Sequence, residues 1–532
     1  MVTTDDGMVS RRSFIAGAIA SGALLTTGSL FGCSSDNSTA GANEPETNAR
    51  DTVPAQIDDT WTTDILIVGA GISGLACAVQ AAQENKQVLV LEKGGSVGGN
   101  GIGVEGTFAV DSVLQKKAGI HIDPANIIMA EHDQGQYRAD GHLWIDLIEN
   151  SAGNIDWLIE QGVEFSGEVD NYYTGLYHTM HWFKNGHAAE GYIDQMYQSA
   201  QKAGADFRLS TAATSLIKEN ASIVGAYAET DAGEVIKIEA KAVILATGGI
   251  GNNRELQSKQ GWGNRSKDLL LGGLPSIDGD GYLMAMDVGA KDFLSESCQL
   301  ASNIIQAFGV DTTAPYNDPL NSPVGLGAGG PYLWVNQDAY RFVNENIAMK
   351  NMVLQSVPIK ANKTTYTIFD KKQANYFRGI GGETSENFEN GLKLNDGNSI
   401  FEVQSIEQLA DPFNLDKEVL TKTIDRYNDL CKQKKDLDFG KEAEVMLAID
   451  TPPYYIARMD VSCIVTIGAI TTNIRREVLD NDRNAIPGLY AIGVDGVMNY
   501  RSVYTINMPG TCSGNCINAG REAAINAAKY IS

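Results

Sequence analysis

The sequence predicts an α/β fold in which a nucleotide-binding unit is split by an inserted region. Three stretches carry that prediction. "TDILIVGAGISGLACAVQAAQENKQVLVLEK", from Thr63, gives an apolar run, a glycine turn, a helical segment and a second apolar run. That is a βαβ unit of about thirty residues. "KAVILATGGIGNN", from Lys241, is a further apolar strand running into a glycine turn. The chain closes on "IPGLYAIGVDG", from Ile486, another strand and turn, followed by the helical "INAGREAAINAAKYI". Between these ends, residues 294–455 read less regularly, with helix-like stretches such as "DKEVLTKTIDRYNDLCKQKK".

The elements follow in order. "SRRSFIAGAIASGALLTTGSLFGC" (Ser10–Cys33) has a basic start, an apolar run from Phe14 to Phe31 and small residues at its end, the layout of an export signal. Arg11 and Arg12, between Ser10 and Phe14, resemble the twin-arginine signal of a route that carries folded proteins. The expected location is the periplasm or cell envelope. A short membrane anchor is the alternative, but the run is of marginal length for a bilayer and is interrupted by Gly, Ser and Thr. Cys33 ends "SLFGC", similar to a lipoprotein cleavage box with a bulky Phe31; a lipid anchor at Cys33 stays open. Residues 34–60 are polar, acidic and poor in large apolar groups, a tether or disordered linker. Structure is expected from Trp61. "SAGNIDWLIEQGVEF" (Ser151–Phe165) reads as a helix capped by Ser151 and ending at Gly162.

At 532 residues the chain is long enough for two or three domains, and its 43% hydrophobic and 20% charged residues are ordinary for a globular protein. A net charge of −25 argues against nucleic acid and against docking on anionic lipid. Besides Cys33 the cysteines are Cys77, Cys298, Cys431, Cys463, Cys512 and Cys516, with no CxxC pair and no CxxCH haem attachment. Cys512 and Cys516 alone make a weak metal site, and no metal is expected.

Gly69, Gly71 and Gly74 form GxGxxG between the strand "DILIV" and a helix that also carries Ser73. The glycines allow a tight turn, close backbone approach to a pyrophosphate and close helix–strand packing. The helix N-terminus then offers unpaired N–H groups and partial positive charge to the phosphates. Glu92, with Lys93 after it, closes the second strand at the separation that suits a ribose. A second glycine-rich segment, "GGSVGGNGIG" (Gly94–Gly103), follows, and then "ATSLI" with "IVGAYA", and "ATGG" at Ala246–Gly249.

With these motifs the chain resembles the FAD-dependent fumarate reductase and succinate dehydrogenase flavoprotein superfamily, which also holds urocanate reductase and 3-ketosteroid dehydrogenases. The resemblance spans about residues 61–532 and is weakest in the inserted region. It implies a Rossmann-like FAD-binding domain (61–293 and 456–532) interrupted by an α+β capping domain (294–455). It also implies FAD contacts at Gly69, Gly71, Ser73, Gly74, Glu92, Lys93, Gly98, Gly99, Asn100, Thr214, Thr247, Gly248 and Asp495. The amides near Gly510, Thr511 and Ser513, opening the last helix, would face the reduced flavin's negative charge. A flavin made in the cytoplasm and inserted there fits export of the folded protein.

The fumarate-reducing members protonate substrate with a cap arginine and hold two carboxylates with arginines and histidines. Here the RFxNE stretch is kept at Arg341–Glu345, but the acid arginine falls on Met349, with Lys350 beside it. "GLGAGGPYL" replaces the TExxR element, "CIVTIGA" the histidine pair, and Asn507 the late arginine. Fumarate therefore fits poorly. Tyr500, Tyr504, Asn507 and Met508, with Arg501 among them, stand there instead. A tyrosine can protonate or hydrogen-bond a carbonyl and flank a flat substrate. His178 and His181, in "YHTMHW", read as structural. The expectation is an exported FAD-dependent reductase of an activated C=C bond, an enone or acrylate, with Tyr504 or Lys350 as acid and Tyr500 and Arg501 nearby. It would draw electrons from a separate donor, a cytochrome or quinol-linked membrane protein. Alternatives are a ketosteroid-type dehydrogenase and a flavin electron-transfer protein with no substrate of its own.

Overall fold

A computed structural model describes residues 54, 56–172, 175–263, 269–271, 274, 276–305, 332–350, 354–380, 388–389, 392–393 and 400–532. The chain divides into two units, Met1–Ala49 and Arg50–Ser532. The first, with the expected export signal and Cys33, lies outside the described residues, as do most of the linker and nearly all of "GLGAGGPYL". No helix of the described residues is long and apolar enough to cross a membrane.

In the second unit the strands are β1 (Asp59–Val68), β2 (Val88–Leu91), β3 (Gly106–Phe108), β4 (Phe165–Asp170), β5 (Met180–Phe183), β6 (Asp206–Arg208), β7 (Thr211–Glu219), β8 (Ser222–Thr230) and β9 (Val235–Leu245). They continue as β10 (Leu270–Leu271), β11 (Cys298–Ile305), β12 (Leu333–Asn336), β13 (Thr365–Asp370), β14 (Ile400–Val403), β15 (Tyr454–Ile467), β16 (Glu477–Leu479) and β17 (Ala485–Ala491). The helices used below are α1 (Ile72–Gln83), α2 (Pro124–Gln134), α3 (Gly141–Glu160), α4 (Asp280–Asp287), α5 (Lys417–Gln433) and α6 (Thr511–Tyr530).

The main sheet runs β16–β17–β9–β1–β2–β6, with the β7–β8 hairpin attached through β8 to β9. β1 pairs in parallel with β2 and β9, and β9 in parallel with β17. Successive side chains of a strand point to opposite faces, and both faces of β1 are covered. Ile65 and Ile67 pack with α1 and α6, whereas Leu66 and Val68 pack with Ala285 of α4 and Ile470. Each such fully buried side chain contributes about 1.5–3 kcal/mol, and this two-sided cover is why the strand reads as a continuous apolar run.

α1 and α6 lie close together because Gly520 carries no side chain: a Cβ there would fall 2.5 Å from the Ser73 carbonyl oxygen. The helix expected to be capped by Ser151 starts eleven residues earlier, a correction to its N-terminus. Asp140 is the N-cap, accepting from the His142 and Leu143 amides, and the helix runs to Glu160. Ser151 is buried in mid-helix, where its hydroxyl accepts from the Val110 amide at 3.0 Å and donates to the Ile148 carbonyl at 2.9 Å.

A second sheet runs β10–β15–β13–β12, with β11 and β14 also on β15. It takes in residues on both sides of the expected junctions, Leu270–Leu271 before residue 294 and all of β15 across 455/456. α5, capped by Asp416, packs Leu420, Ile424 and Tyr427 beneath β12 and β13. Arg341 of the RFxNE stretch is buried there, paired with Glu345 and Asp436, so it ties the sheet's loops together. A small third sheet, β3–β5–β4, stands against α6. His181 on β5 is a buried structural residue: one ring nitrogen lies 2.9 Å from the Thr179 carbonyl, the other 2.7 Å from the Ser112 hydroxyl. A carbonyl only accepts, so Nδ1 carries the proton of the neutral ring. Burial lowers its pKa to about 4.

Candidate active site

The pairing register decides what meets at the sheet's carboxyl edge. Val68 pairs with Leu91 and Leu245, and Leu245 with Ala491, so four parallel strands end level. The turns that leave them therefore converge, in the crevice where open α/β sheets take ligands. Gly69, Glu92, Thr247 with Gly248, and Asp495 all lie on those turns.

Gly69 has φ +108, and a Cβ would sit 2.2 Å from the Ala246 carbonyl oxygen, so only glycine turns the chain here. Gly74 is fixed by the Gly69 carbonyl in the same way. Gly71 differs. The nearest atom to a Cβ there is the Gly98 carbonyl oxygen at 3.7 Å, so the protein itself leaves open space at the start of α1. Gly71 is the N-cap and offers no side chain, so the first amides of α1 lack a side-chain partner among the described residues. Open space before bare amides and a positive helix end is a cradle for a phosphate.

Around this cradle the turns hold one another. Glu92 accepts from the Ala70 amide at 2.9 Å and the Gly94 amide at 2.8 Å, and remains partly exposed. Gly98 donates to the Ala70 carbonyl and bridges Gly71. The Gly99 position has nothing within 4 Å of a Cβ among the described residues, and the Asn100 side-chain oxygen Oδ1 accepts from the Leu274 amide at 2.8 Å. Lys93 pairs with Asp278 and Asp280 at 2.9 and 2.8 Å. Asp495 is buried and grips the "ATGG" turn, accepting from the Thr247 amide and hydroxyl and, at 2.8 Å, from the Gly249 amide. Burial pushes its carboxyl up, and those donors offset part of the rise.

α6 starts beside the third sheet. Gly510 (φ +80) is its N-cap, and a Cβ there would meet the Thr107 backbone at 2.5 Å. Thr511 donates to the Met508 carbonyl, and Ser513 to the Gly106 carbonyl at 2.6 Å. As at α1, no side chain among the described residues caps this terminus. Just before it, Tyr500 and Tyr504 are buried with ring centroids 4.4 Å apart, and the Tyr500 ring also meets Trp144 edge-on. The Tyr500 hydroxyl is buried with no hydrogen-bond partner among the described residues. Arg501 and Ile506, flanking Tyr504, both have φ +55, an unusual conformation for non-glycine residues and a strained one for β-branched isoleucine. Arg501 turns its guanidinium over the Phe293 ring and toward Asp140 at 3.9 Å.

The structure thus brings together the two glycine turns, Glu92, Thr247, Gly248 and Asp495 at one edge, and the tyrosine pair with Gly510, Thr511 and Ser513 at another helix start. Two expected residues stand apart. Thr214 is exposed on β7, donating to the Tyr227 carbonyl at 3.3 Å. Lys350 is exposed and paired with Glu442. One residue went unnoticed in the sequence: Glu131 of α2, buried, with the Thr505 hydroxyl 3.0 Å from each of its oxygens.

Residues 64–505 match the family described as FAD binding domain. The vinyl phenol reductase of Lactiplantibacillus plantarum is 32% identical over 484 residues, covering 88% of this chain and 96% of that protein. The urocanate reductase of Eggerthella lenta is 27% identical, covering 92% and 78%. A flavocytochrome c3 fumarate reductase in its open conformation shares the fold at TM-score 0.64 and 24% identity, over 99% of this chain and 82% of that one. A 3-ketosteroid-Δ4-(5α)-dehydrogenase from Rhodococcus jostii shares it at TM-score 0.66 and 21% identity, over 90% and 99%. A parallel sheet ending in a phosphate cradle, and a family match across most of the chain, lead to one assignment: the protein belongs to the FAD binding domain family, in the flavoprotein superfamily of the fumarate reductases, and is an FAD-dependent oxidoreductase.

Proposed function

We propose that this flavoprotein reduces an activated C=C bond conjugated to a carbonyl or an aromatic ring, and that fumarate is not its substrate. One observation carries the reading: the residues before α6 form a buried, neutral, aromatic wall, with the one arginine among them turned away to Phe293 and Asp140. A dicarboxylate would leave its charges unpaired against such a wall, at several kcal/mol each, whereas a flat uncharged acceptor would pack against it. The names of the vinyl phenol and urocanate reductases support a conjugated, less charged substrate.

On this reading Gly71 and the first amides of α1 would hold the pyrophosphate of FAD. Glu92 takes the adenosine ribose, Ser73, Gly98, Gly99 and Asn100 border the cofactor, and Thr247, Gly248 and Asp495 hold the turn beneath it. Bound FAD supplies the hydride. The chain supplies the rest. The bare amides at Gly510–Ser513 stabilise negative charge. Burial holds the Tyr504 phenol well above its ordinary pKa, so it stays protonated and able to donate. The Tyr500 hydroxyl, without a hydrogen-bond partner among the described residues, hydrogen-bonds the substrate. The region of the second sheet acts as the cap and excludes water on closing. Arg11 and Arg12 direct export of the folded, loaded protein to the cell envelope, and a separate cytochrome or quinol-linked donor feeds it electrons. Lipidation at Cys33 would hold it at the membrane.

The test is anaerobic. Protein reduced with dithionite is mixed with enones, aromatic acrylates, vinyl phenols and dicarboxylates, and flavin reoxidation is followed. Reoxidation by the conjugated, weakly charged compounds is expected; reoxidation by fumarate alone would refute the reading.

A further inference from the structure

Glu131 sits at 2% exposure on α2, and the cluster it hydrogen-bonds to comes from the far end of the chain. Its hydrogen-bonding partner in that cluster is Thr505, which follows Tyr504, and the Asn507 side chain lies beside it. Thr505 Oγ1 is equidistant, 3.0 Å, from both carboxyl oxygens. A hydroxyl has one proton to give and two lone pairs. It cannot donate fully to two carboxylate oxygens, but it can donate to one oxygen of a neutral carboxyl while accepting from the other. No lysine, arginine or histidine pairs with Glu131 among the described residues.

The neighbours leave Glu131 as the group suited to exchanging protons. Tyr500 and Tyr504 both feel its charge and are held well above their ordinary range by burial. Cys298, Cys512 and Tyr172 complete the ring of titratable groups around Tyr504, with Cys516 beside Tyr500, and burial pushes Cys298 up to about 12. On α2 itself His132 faces Tyr137 and Gly141, and Asp133 follows it; on the adjoining α3, Asp140 faces Arg501. Burial raises Glu131 to about 7, against the hydrogen bonds that lower it.

We propose that Glu131 is the proton reserve behind the active-site tyrosines, its carboxyl, held in place by Thr505, restoring the proton that Tyr504 gives to substrate. The inference rests on the reading of Tyr504 as donor. With hydride supplied to the β-carbon by bound, reduced flavin, the Tyr504 O–H would break and its proton go to the α-carbon, completing the two new C–H bonds. The phenolate regains a proton from the Glu131 carboxyl, Glu131 becomes a carboxylate, and water reprotonates it. Glu131 touches no substrate; it is a positioning and proton-supplying residue.

Wild type and Glu131→Gln, both loaded with FAD, are compared by stopped flow with the enone that reoxidises wild type, and by infrared spectroscopy. A protonated-carboxyl band titrating near 7 is expected in wild type and absent in the variant, with or without flavin. Multiple-turnover rate should fall at least tenfold in Glu131→Gln, toward the roughly 10²-fold of a proton-transfer group, with KM unchanged. The wild-type decline as pH rises through about 7 should vanish. Wild-type rate and pH profile in Glu131→Gln would overturn the proposal. Should that variant not fold, Thr505→Val should lower the rate tenfold and Thr505→Ser restore it, and a fully active Thr505→Val would overturn it. If no conjugated compound reoxidises wild type, the substrate reading fails instead, and the infrared band still reports whether Glu131 holds a proton.

Discussion

Tyr504 and Lys350, the two acids open on the sequence, have opposite surroundings. Tyr504 is 5% exposed and packed on Tyr500, a position that desolvates its hydroxyl and fixes its direction. Lys350 stands in solvent beside Glu442, and such exposed pairs contribute about 0–1 kcal/mol. Tyr504→Phe keeps the ring and removes the donor, so single-turnover reoxidation should fall about 10²–10⁴-fold while stability changes by about 1 kcal/mol. Lys350→Met should leave both nearly unchanged. A Tyr504→Phe enzyme at wild-type rate, with Lys350→Met impaired, would reverse the assignment. The tyrosines stand out in the sequence because they lie close to Asn507, where the resembling family keeps an arginine. Glu131 does not. In "MAEHDQG" it reads as one more polar residue on a helix, and its burial comes from a contact 374 residues away that no local pattern encodes.

At the scale of elements, what local periodicity and turn chemistry specify was readable: β1–α1–β2, β9 with its glycine turn, and β17. The start of α3 was misread because Ser151 is as good a cap as Asp140 when its burial is unknown; in the fold its hydroxyl serves the Val110 amide instead. β15 was hidden too, since a strand serving β10, β11, β13 and β14 is specified by partners scattered through the chain. Partnering also sets the two helices that present the bare N-termini. α1 and α6 touch through Gly520, where a methyl group would fall 2.5 Å from the Ser73 carbonyl of the opposite backbone. Neither side of that contact is a flexible side chain, so the helices must separate. Gly520→Ala should cost about 1–3 kcal/mol by overpacking, and because it shifts both cradle helices, FAD affinity should fall with it. Calorimetry of unfolding and flavin titration of the apoprotein read the two effects. A stable variant with unchanged FAD affinity would show that the contact does not position the cradle.

For the whole molecule, two buried groups in the region before α6 and the third sheet pull the pH dependence of stability in opposite directions. Glu131 moves from an ordinary 4.5 to about 7 on folding, so its contribution is full below 4.5 and is lost as pH rises through 7. His181 moves from 6.5 to about 4, so its contribution is full above 6.5 and is lost as pH falls through 4. Each shift corresponds to about 3 kcal/mol across its range. Between 4.5 and 6.5 the two slopes cancel in the wild type. Removing one exposes the other: relative to wild type, Glu131→Gln should gain stability as pH rises across that window, and His181→Gln should lose it. Taking differences against wild type cancels the surface carboxylates, which all variants share. Melting temperatures of the three proteins at pH 4.5, 5.5 and 6.5 measure those differences. Curves that stay parallel for Glu131→Gln would mean that Glu131 is charged in the folded protein across the window, and its long-range contact with Thr505 would then be an anchor for the segment and nothing more.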